Sequence, residues 1–249
     1  MLLSGRTAVV TGASRGIGAA TAKELARHGA TVGVNYYRSE AAARQVIAEI
    51  EEEGGRAIPL QADVRDPAQV EAMAATAEQA LGPIDTLVLN AAIGFPMVPF
   101  VDVRWDEFEA KLVGELKAAF NCCKTFVPGM LGIHRGCIIA ISSGLSRTPG
   151  YGFCAHSTAK SGLDAFARSL ALELGPMGIR VNVIAPGLTI TDATTEIVER
   201  HGAAVAKQTP LGRVAIPEDV AGAVALLASD EARFVTGAYL STAGGIQIL

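Results

Sequence analysis

Gly12, Gly16 and Gly18 fall in the stretch Thr11-Gly12-Ala13-Ser14-Arg15-Gly16-Ile17-Gly18, a G-x-x-x-G-x-G spacing. Before it lies the apolar run Thr7-Ala8-Val9-Val10, and after it a helix-patterned segment continues to about His28. A strand, a glycine turn and a helix in that order can cradle phosphate. Gly12 permits the tight turn, Gly16 and Gly18 remove Cβ atoms that would block a pyrophosphate, and the helix start offers unpaired N–H donors. Ser14, Arg15 and Ile17 complete the cradle. Many tight strand-to-helix turns bind nothing, but one placed about ten residues from the N-terminus in a βα unit favours a dinucleotide.

Which dinucleotide depends on the end of the second strand. An acidic side chain there holds a ribose 2′-hydroxyl, whereas this chain reads Asn35-Tyr36-Tyr37-Arg38, with no acid before Glu40. Arg15 and Arg38 could converge on a 2′-phosphate, where a guanidinium fork matches the oxygens. Both could also be solvated surface arginines. Asp63-Val64 is placed to contact adenine, and the balance favours NADP(H) over NAD(H).

The elements that position these residues alternate throughout. Strands are predicted over 32–35, 57–61, 87–89, 137–141 and 181–184, with a last one at 238–240. Helices are predicted over 39–53, 67–81, 104–131 and 155–175, and another from Pro217. Asp66 is the expected cap of the second of these, with Pro67 at its first position. Alternating βα units predict an α/β fold, a doubly wound parallel sheet with helices on both faces. Between 189 and 208 lies a more polar insert, either a mobile lid over a pocket or a surface excursion.

Composition excludes several classes. The 249 residues suit one large α/β domain with a sizeable core. A net charge of −4 without clustered Lys and Arg gives no reason to expect nucleic acid. No apolar run approaches the ~18–20 residues that span a bilayer, and no signal peptide is read, so a cytoplasmic protein without membrane contact is expected. Cys122, Cys123, Cys137 and Cys154 form neither a C-x-x-C pair nor a disulfide framework, and no metal is expected.

The glycine loop together with Leu89-Asn90-Ala91-Ala92, Ile141-Ser142-Ser143, Lys160 and Pro186-Gly187-x-x-x-Thr191 resembles the short-chain dehydrogenase/reductases, from Gly5 to Gly245. The 3-oxoacyl carrier-protein reductases are the general match. The resemblance implies a single-domain Rossmann fold over 1–249 with a seven-stranded sheet, and NADP(H)-dependent interconversion of carbonyl and alcohol. It also implies a homotetramer or homodimer built on the two long helices. Asn90, Ala91, Ala92, Lys160, Pro186, Gly187, Thr189 and Thr191 would then border the cofactor.

In that family a Ser orients the carbonyl and a Tyr moves the proton. A Lys one helical turn further lowers the phenol's pKa, and an Asn on the preceding long helix holds a water that links the Lys to solvent. The i, i+4 spacing puts Tyr and Lys on one helix face. Here Lys160 keeps its local context, but His156 stands where the Tyr should be. Ser143 lies thirteen residues before His156, the family's interval, and Glu115 takes the Asn position five residues before Phe120. Ala92 replaces the Gly of the family's N-N-A-G motif.

Three readings of His156 stay open. It could be the acid/base of a reductase, its imidazole pushed toward the neutral form by Lys160, with Glu115 offsetting that charge and the pH profile moved to lower pH. It could serve a non-redox reaction such as dehydration, cyclisation or isomerisation. The site could also be catalytically silent and only bind a ligand. Tyr151, nine residues before Lys160, is an alternative donor or a plain lid residue. The visible pocket residues, Phe95, Met97, Leu145, Phe153 and Leu188, suit a small hydrophobic carbonyl compound. An acyl group on a carrier protein is one form of it, with Arg135 and Lys207 as scattered cations for such a carrier. Phe120, Leu163, Phe166 and Leu170 recur at helical spacing and could leave a stripe for a partner subunit.

Overall fold

The computed structural model describes residues 1–247. Its elements follow the predicted alternation: β1 (Thr7–Val10), α1 (Gly16–Arg27), β2 (Thr31–Tyr36), α2 (Glu40–Glu52), β3 (Arg56–Gln61), α3 (Pro67–Leu81) and β4 (Thr86–Leu89). Then come α4 (Trp105–Gly132), β5 (Gly136–Ile141), α5 (Cys154–Leu174), β6 (Ile179–Pro186), α6 (Thr195–Gln208), α7 (Pro217–Ala228) and β7 (Tyr239–Thr242). All pairings are parallel, in the order β3-β2-β1-β4-β5-β6-β7.

Strands β1, β4 and β5 are continuous apolar runs, and every residue of each is buried. That is the pattern of strands covered on both faces. One core packs α1, α2 and α7 against the sheet through Leu25, Val46 and Val224. The other packs α3, α4 and α5 through Met73, Phe126 and Leu163. Asp66 caps α3 by accepting from the Ala68 and Gln69 amides, with Pro67 at the first turn. Strand order reverses between β1 and β4, so a crevice opens beyond their carboxyl ends, where doubly wound sheets bind ligands. The turns after β1, β4, β5 and β6 carry the glycine loop, Asn90, Ser143 and Gly187, all on that edge.

The region read as a polar insert holds a further helix, α6. Ile197, Val198 and Val205 face inward at helical spacing, but only Gly202 is buried. The periodicity is there, but the segment is so polar overall that it reads as a loop insert rather than a helix. The excursion is closed at its base: Thr189 bridges Ala215, whose N–H donates to Leu188 O and whose O accepts from Ile190 N. No helix among the described residues is long and apolar enough to cross a membrane.

Candidate active site

The glycine loop is held from three sides. Thr11 Oγ1 accepts from the Asn90 and Ala91 amides at 2.9 and 3.0 Å, and Asn90 Nδ2 donates to Thr11 O at 2.8 Å and to Gly12 O at 3.1 Å. Asn35 Oδ1 accepts from Gly12 N at 3.0 Å while its Nδ2 donates to Leu60 O and Ala62 O. The Asn35 side chain is therefore a strut beneath the loop rather than a group offered to a ligand. Tyr36 and Val64, also read as cofactor contacts, bury their side chains in the two cores.

Gly12 has φ +62°, as the tight turn requires, and a Cβ there would lie 2.9 Å from Ala91 Cα. Gly18 answers to a different need from the one expected. A Cβ on it would meet Asn90 Nδ2 at 2.4 Å and Gly12 O at 2.5 Å, so this glycine lets α1 sit against the loop, not a pyrophosphate. Gly16, at φ +56°, faces Thr191, whose Cγ2 would be 3.3 Å from an added Cβ. The turn after β6 thus closes over the start of α1. Arg15 caps α1 without a side-chain hydrogen bond, so no side chain blocks the first-turn amides, and its own side chain is exposed. This arrangement fits a pyrophosphate.

At the other end of the crevice Tyr37 collects two guanidiniums. Arg38 lies 4.6 Å from its ring centroid and Arg65 lies 5.8 Å away. Asp63 accepts from Arg65 Nε at 2.9 Å and Nη2 at 2.6 Å, and these bonds hold its carboxyl below the usual carboxylate range. Arg65 was not anticipated. Its only sequence signal is its place two residues after Asp63.

Glu115 and Lys160 do meet, and a third charge joins them. Lys160 Nζ is 2.5 Å from Glu115 Oε1 and donates to Ile141 O at 2.7 Å, which ties α5 to the end of β5. Lys111, one helical turn before Glu115, is fully buried, and its Nζ donates to Glu115 Oε2 at 2.6 Å and to Ile93 O at 2.8 Å. Glu115 Oε2 also accepts from Ile93 N at 3.2 Å. Burial alone would raise the Glu115 pKa, but Lys160 and Lys111 outweigh it and bring the value from 4.5 to about 2. Burial holds Lys111 below the ordinary lysine range against the pull of Glu115. Sequence reasoning missed Lys111, although its i, i+4 spacing to Glu115 was a usable signal.

His156 stacks on Phe95, with ring centroids 4.5 Å apart, and meets the edge of Phe153 at 6.4 Å. Its Nδ1 is buried and has no hydrogen-bond partner among the described residues. Burial first, then Lys160 and Lys111, lower its pKa from 6.5 to about 3 against the opposing effect of Glu115. The ring is neutral at physiological pH, more from burial than from the charge argument alone.

This has a measurable consequence for stability. Between about pH 6.5 and 3 the unfolded chain carries a proton on this imidazole and the folded chain does not. Stability therefore falls as pH drops through that window, by about 1.4 kcal/mol per unit for this group. Glu115 continues the loss from 4.5 down to about 2. Denaturant unfolding at pH 6.5, 5.5 and 4.5 should show a shallower decline for His156→Phe than for the unsubstituted protein, and equal slopes would contradict the burial.

Ser143 lies in the turn two residues beyond β5, its Oγ accepts from Leu145 N at 3.2 Å, and Tyr239 OH donates to its carbonyl at 3.3 Å. Tyr151 is 86% exposed, a position in solvent rather than in the pocket. Arg135 directly precedes β5, at the sheet edge opposite the crevice, and pairs with Asp85, so it cannot greet a carrier arm there. Cys154 is half-buried, unlike the other three cysteines, which are buried. No group of metal-ligating side chains occurs among the described residues.

Comparison with known proteins agrees with this architecture. Residues 12–247 match the family described as Enoyl-(Acyl carrier protein) reductase. An L-rhamnose 1-dehydrogenase (NAD(P)(+)) of Sphingomonas sp. strain SKA58 is 38% identical over 251 residues, 99% of this chain and 98% of the relative. Among solved structures, the promiscuous reductase LugOII, which catalyses keto-reduction at C1 in lugdunomycin biosynthesis, superposes with a TM-score of 0.92 at 37% identity over all of both chains. A blue fluorescent protein from a metagenomic library, in complex with NADPH, superposes with a TM-score of 0.90 at 38% identity over all of both chains.

The chain belongs to the short-chain dehydrogenase/reductase family. It is an oxidoreductase on a Rossmann-type sheet.

Proposed function

We propose that the protein is an NADP(H)-dependent reductase of a hydrophobic ketone or 3-oxoacyl-type compound, with His156 in the place of the family's tyrosine. The observation that carries this reading is the buried, unpartnered His156 Nδ1 beside the Lys160–Glu115 pair. A polar atom in that state is free to meet a water or a bound molecule, and beside the Lys160–Glu115 pair it is placed to exchange a proton. Bound NADPH supplies a hydride to the carbonyl carbon. Ser143 orients the carbonyl, and the electron pair released onto oxygen is met by a proton from His156.

A ring neutral down to about pH 3 is a poor reservoir for an extra proton. It would work instead as a relay: the nitrogen facing the substrate gives its hydrogen to the developing alkoxide while the other takes a proton from solvent water, so the ring ends neutral as it began. Lys160 and Glu115 support the ring's surroundings, and Phe95 and Phe153 line an apolar approach that favours a hydrophobic substrate. Residues 189–209, with α6, form the lid.

The cofactor preference rests on Arg38 and Arg65 flanking Tyr37, with Arg15 exposed at the cap of α1. Titration should favour NADPH over NADH by tenfold or more, about 1.4 kcal/mol, and Arg38→Ala should bring the two within about threefold. Equal affinities for the unsubstituted protein would defeat the argument. Val113 and Phe120, seven residues apart on α4, are both about half exposed, an apolar stripe that supports a dimer or tetramer. Turnover itself is tested with NADPH and a panel of hydrophobic ketones and 3-oxoacyl thioesters. NADPH loss in step with alcohol supports the reading; product formed without change in nicotinamide absorbance overturns it.

A further inference from the structure

Two ammonium groups share one carboxylate in this pocket, and only one of them stands at a position the family's chemistry uses. Had Glu115 faced Lys160 alone, the two charges would cancel. Lys111, fully buried on α4, takes Oε2 at 2.6 Å while Lys160 takes Oε1 at 2.5 Å. The cluster therefore holds one positive charge in excess, in a place where water cannot screen it.

The same two side chains fix the strand-to-helix turn after β4. Glu115 accepts from Ile93 N, and Lys111 donates to Ile93 O. Two residues further on, Phe95 lies with its ring centroid 5.3 Å from Lys111 Nζ and stacks on His156. Lys111 is thus joined to His156 by charge and by one intervening aromatic ring.

We propose that Lys111 is a positioning residue that sets the charge of the catalytic cluster, leaving the pocket one positive charge in excess to stabilise the oxyanion formed on the substrate. This inference rests on the reductase reading of the site. The charged groups facing His156 are Lys160 on its own helix and Lys111 and Glu115 from α4; Phe95 and Phe153 supply neutral walls. Preorganised charge aimed at a developing oxyanion acts on kcat more than on KM.

Two substitutions separate charge from geometry. Lys111→Gln keeps a donor for Ile93 O but carries no charge, and Lys111→Met removes both. Lys111→Arg is the conservative rescue. The expected result is a kcat at least tenfold lower in Lys111→Gln, with KM changed less than about threefold and partial recovery in Lys111→Arg. The His156 ring, followed by its 13C NMR shift, should stay flat down to the acid-unfolding edge in the unsubstituted protein. In Lys111→Gln burial still holds the ring down, and loss of the nearby ammonium should show instead as a shallower fall of stability between about pH 4.5 and 3.5 than in the unsubstituted protein.

A kcat within twofold of the unsubstituted value in Lys111→Gln overturns the proposal whatever the ring does. So does a loss seen in Lys111→Met but not in Lys111→Gln, since that would assign Lys111 to holding the turn alone. If the unsubstituted protein turns over no carbonyl compound, the reductase reading fails. The pH dependence of stability then decides whether Lys111 sets the local charge, an unchanged slope in Lys111→Gln counting against it.

Discussion

His156→Ala should lower kcat for ketone reduction by about 10²–10⁴, the usual worth of a positioned proton-transfer group, while NADPH affinity changes less than about threefold. The expectation follows from where the imidazole sits. It is stacked on Phe95, held neutral by burial and two ammoniums, and has an unmatched buried nitrogen. On the proposed reading, removing it would leave the alkoxide without a nearby donor while the glycine loop stays untouched. His156→Tyr, which restores the family residue four positions before Lys160, should keep activity or raise it. An Ala variant as fast as the unsubstituted protein would reject His156 as the proton carrier.

The second large effect concerns folding. Glu115→Ala should cost about 3–5 kcal/mol of stability, because it strands Lys111 and Lys160 as buried charges without a counter-ion. Both lysine side chains are at most 5% exposed, so water cannot replace the carboxylate. Pairing the change with Lys111→Met should recover part of the loss by removing one of the stranded ammoniums. Urea unfolding followed by circular dichroism measures both, and a single variant within about 0.5 kcal/mol of the unsubstituted protein would show that the cluster is not the buried ion network described.

Much of this was legible without coordinates. The apolar runs at 7–10, 87–89 and 137–141, set between helix-patterned segments, read as strands, and Pro67 after Asp66 marked the start of α3. The glycine loop declared its turn, though not the work of each glycine, because which neighbour a Cβ would strike depends on chain packing. Gly18 faces Asn90, seventy-two positions away, and no spacing rule reaches that far. Asn35 was misjudged for the same reason. An amide at the end of a strand looks available until the carbonyls of Leu60 and Ala62 are seen to occupy it. Glu115 was recognisable as a departure from a pattern. Lys111 departs from no quoted motif, and its i, i+4 spacing to Glu115 gained meaning only once both were seen to be buried. α6 stayed hidden because a helix lying on a surface needs few apolar residues.

The pairing of Thr189 with Ala215 makes the chain between them a closed appendage with its own clasp. Further ties hold its two ends, Thr191 against Gly16 and Leu211 N donating to Gly244 O, so the part free to be exchanged without disturbing β6 is α6 between them. If this excursion covers the crevice as proposed, exchanging α6 alone, between Thr191 and Thr209, should retune substrate range while the glycine loop and His156 stay as they are.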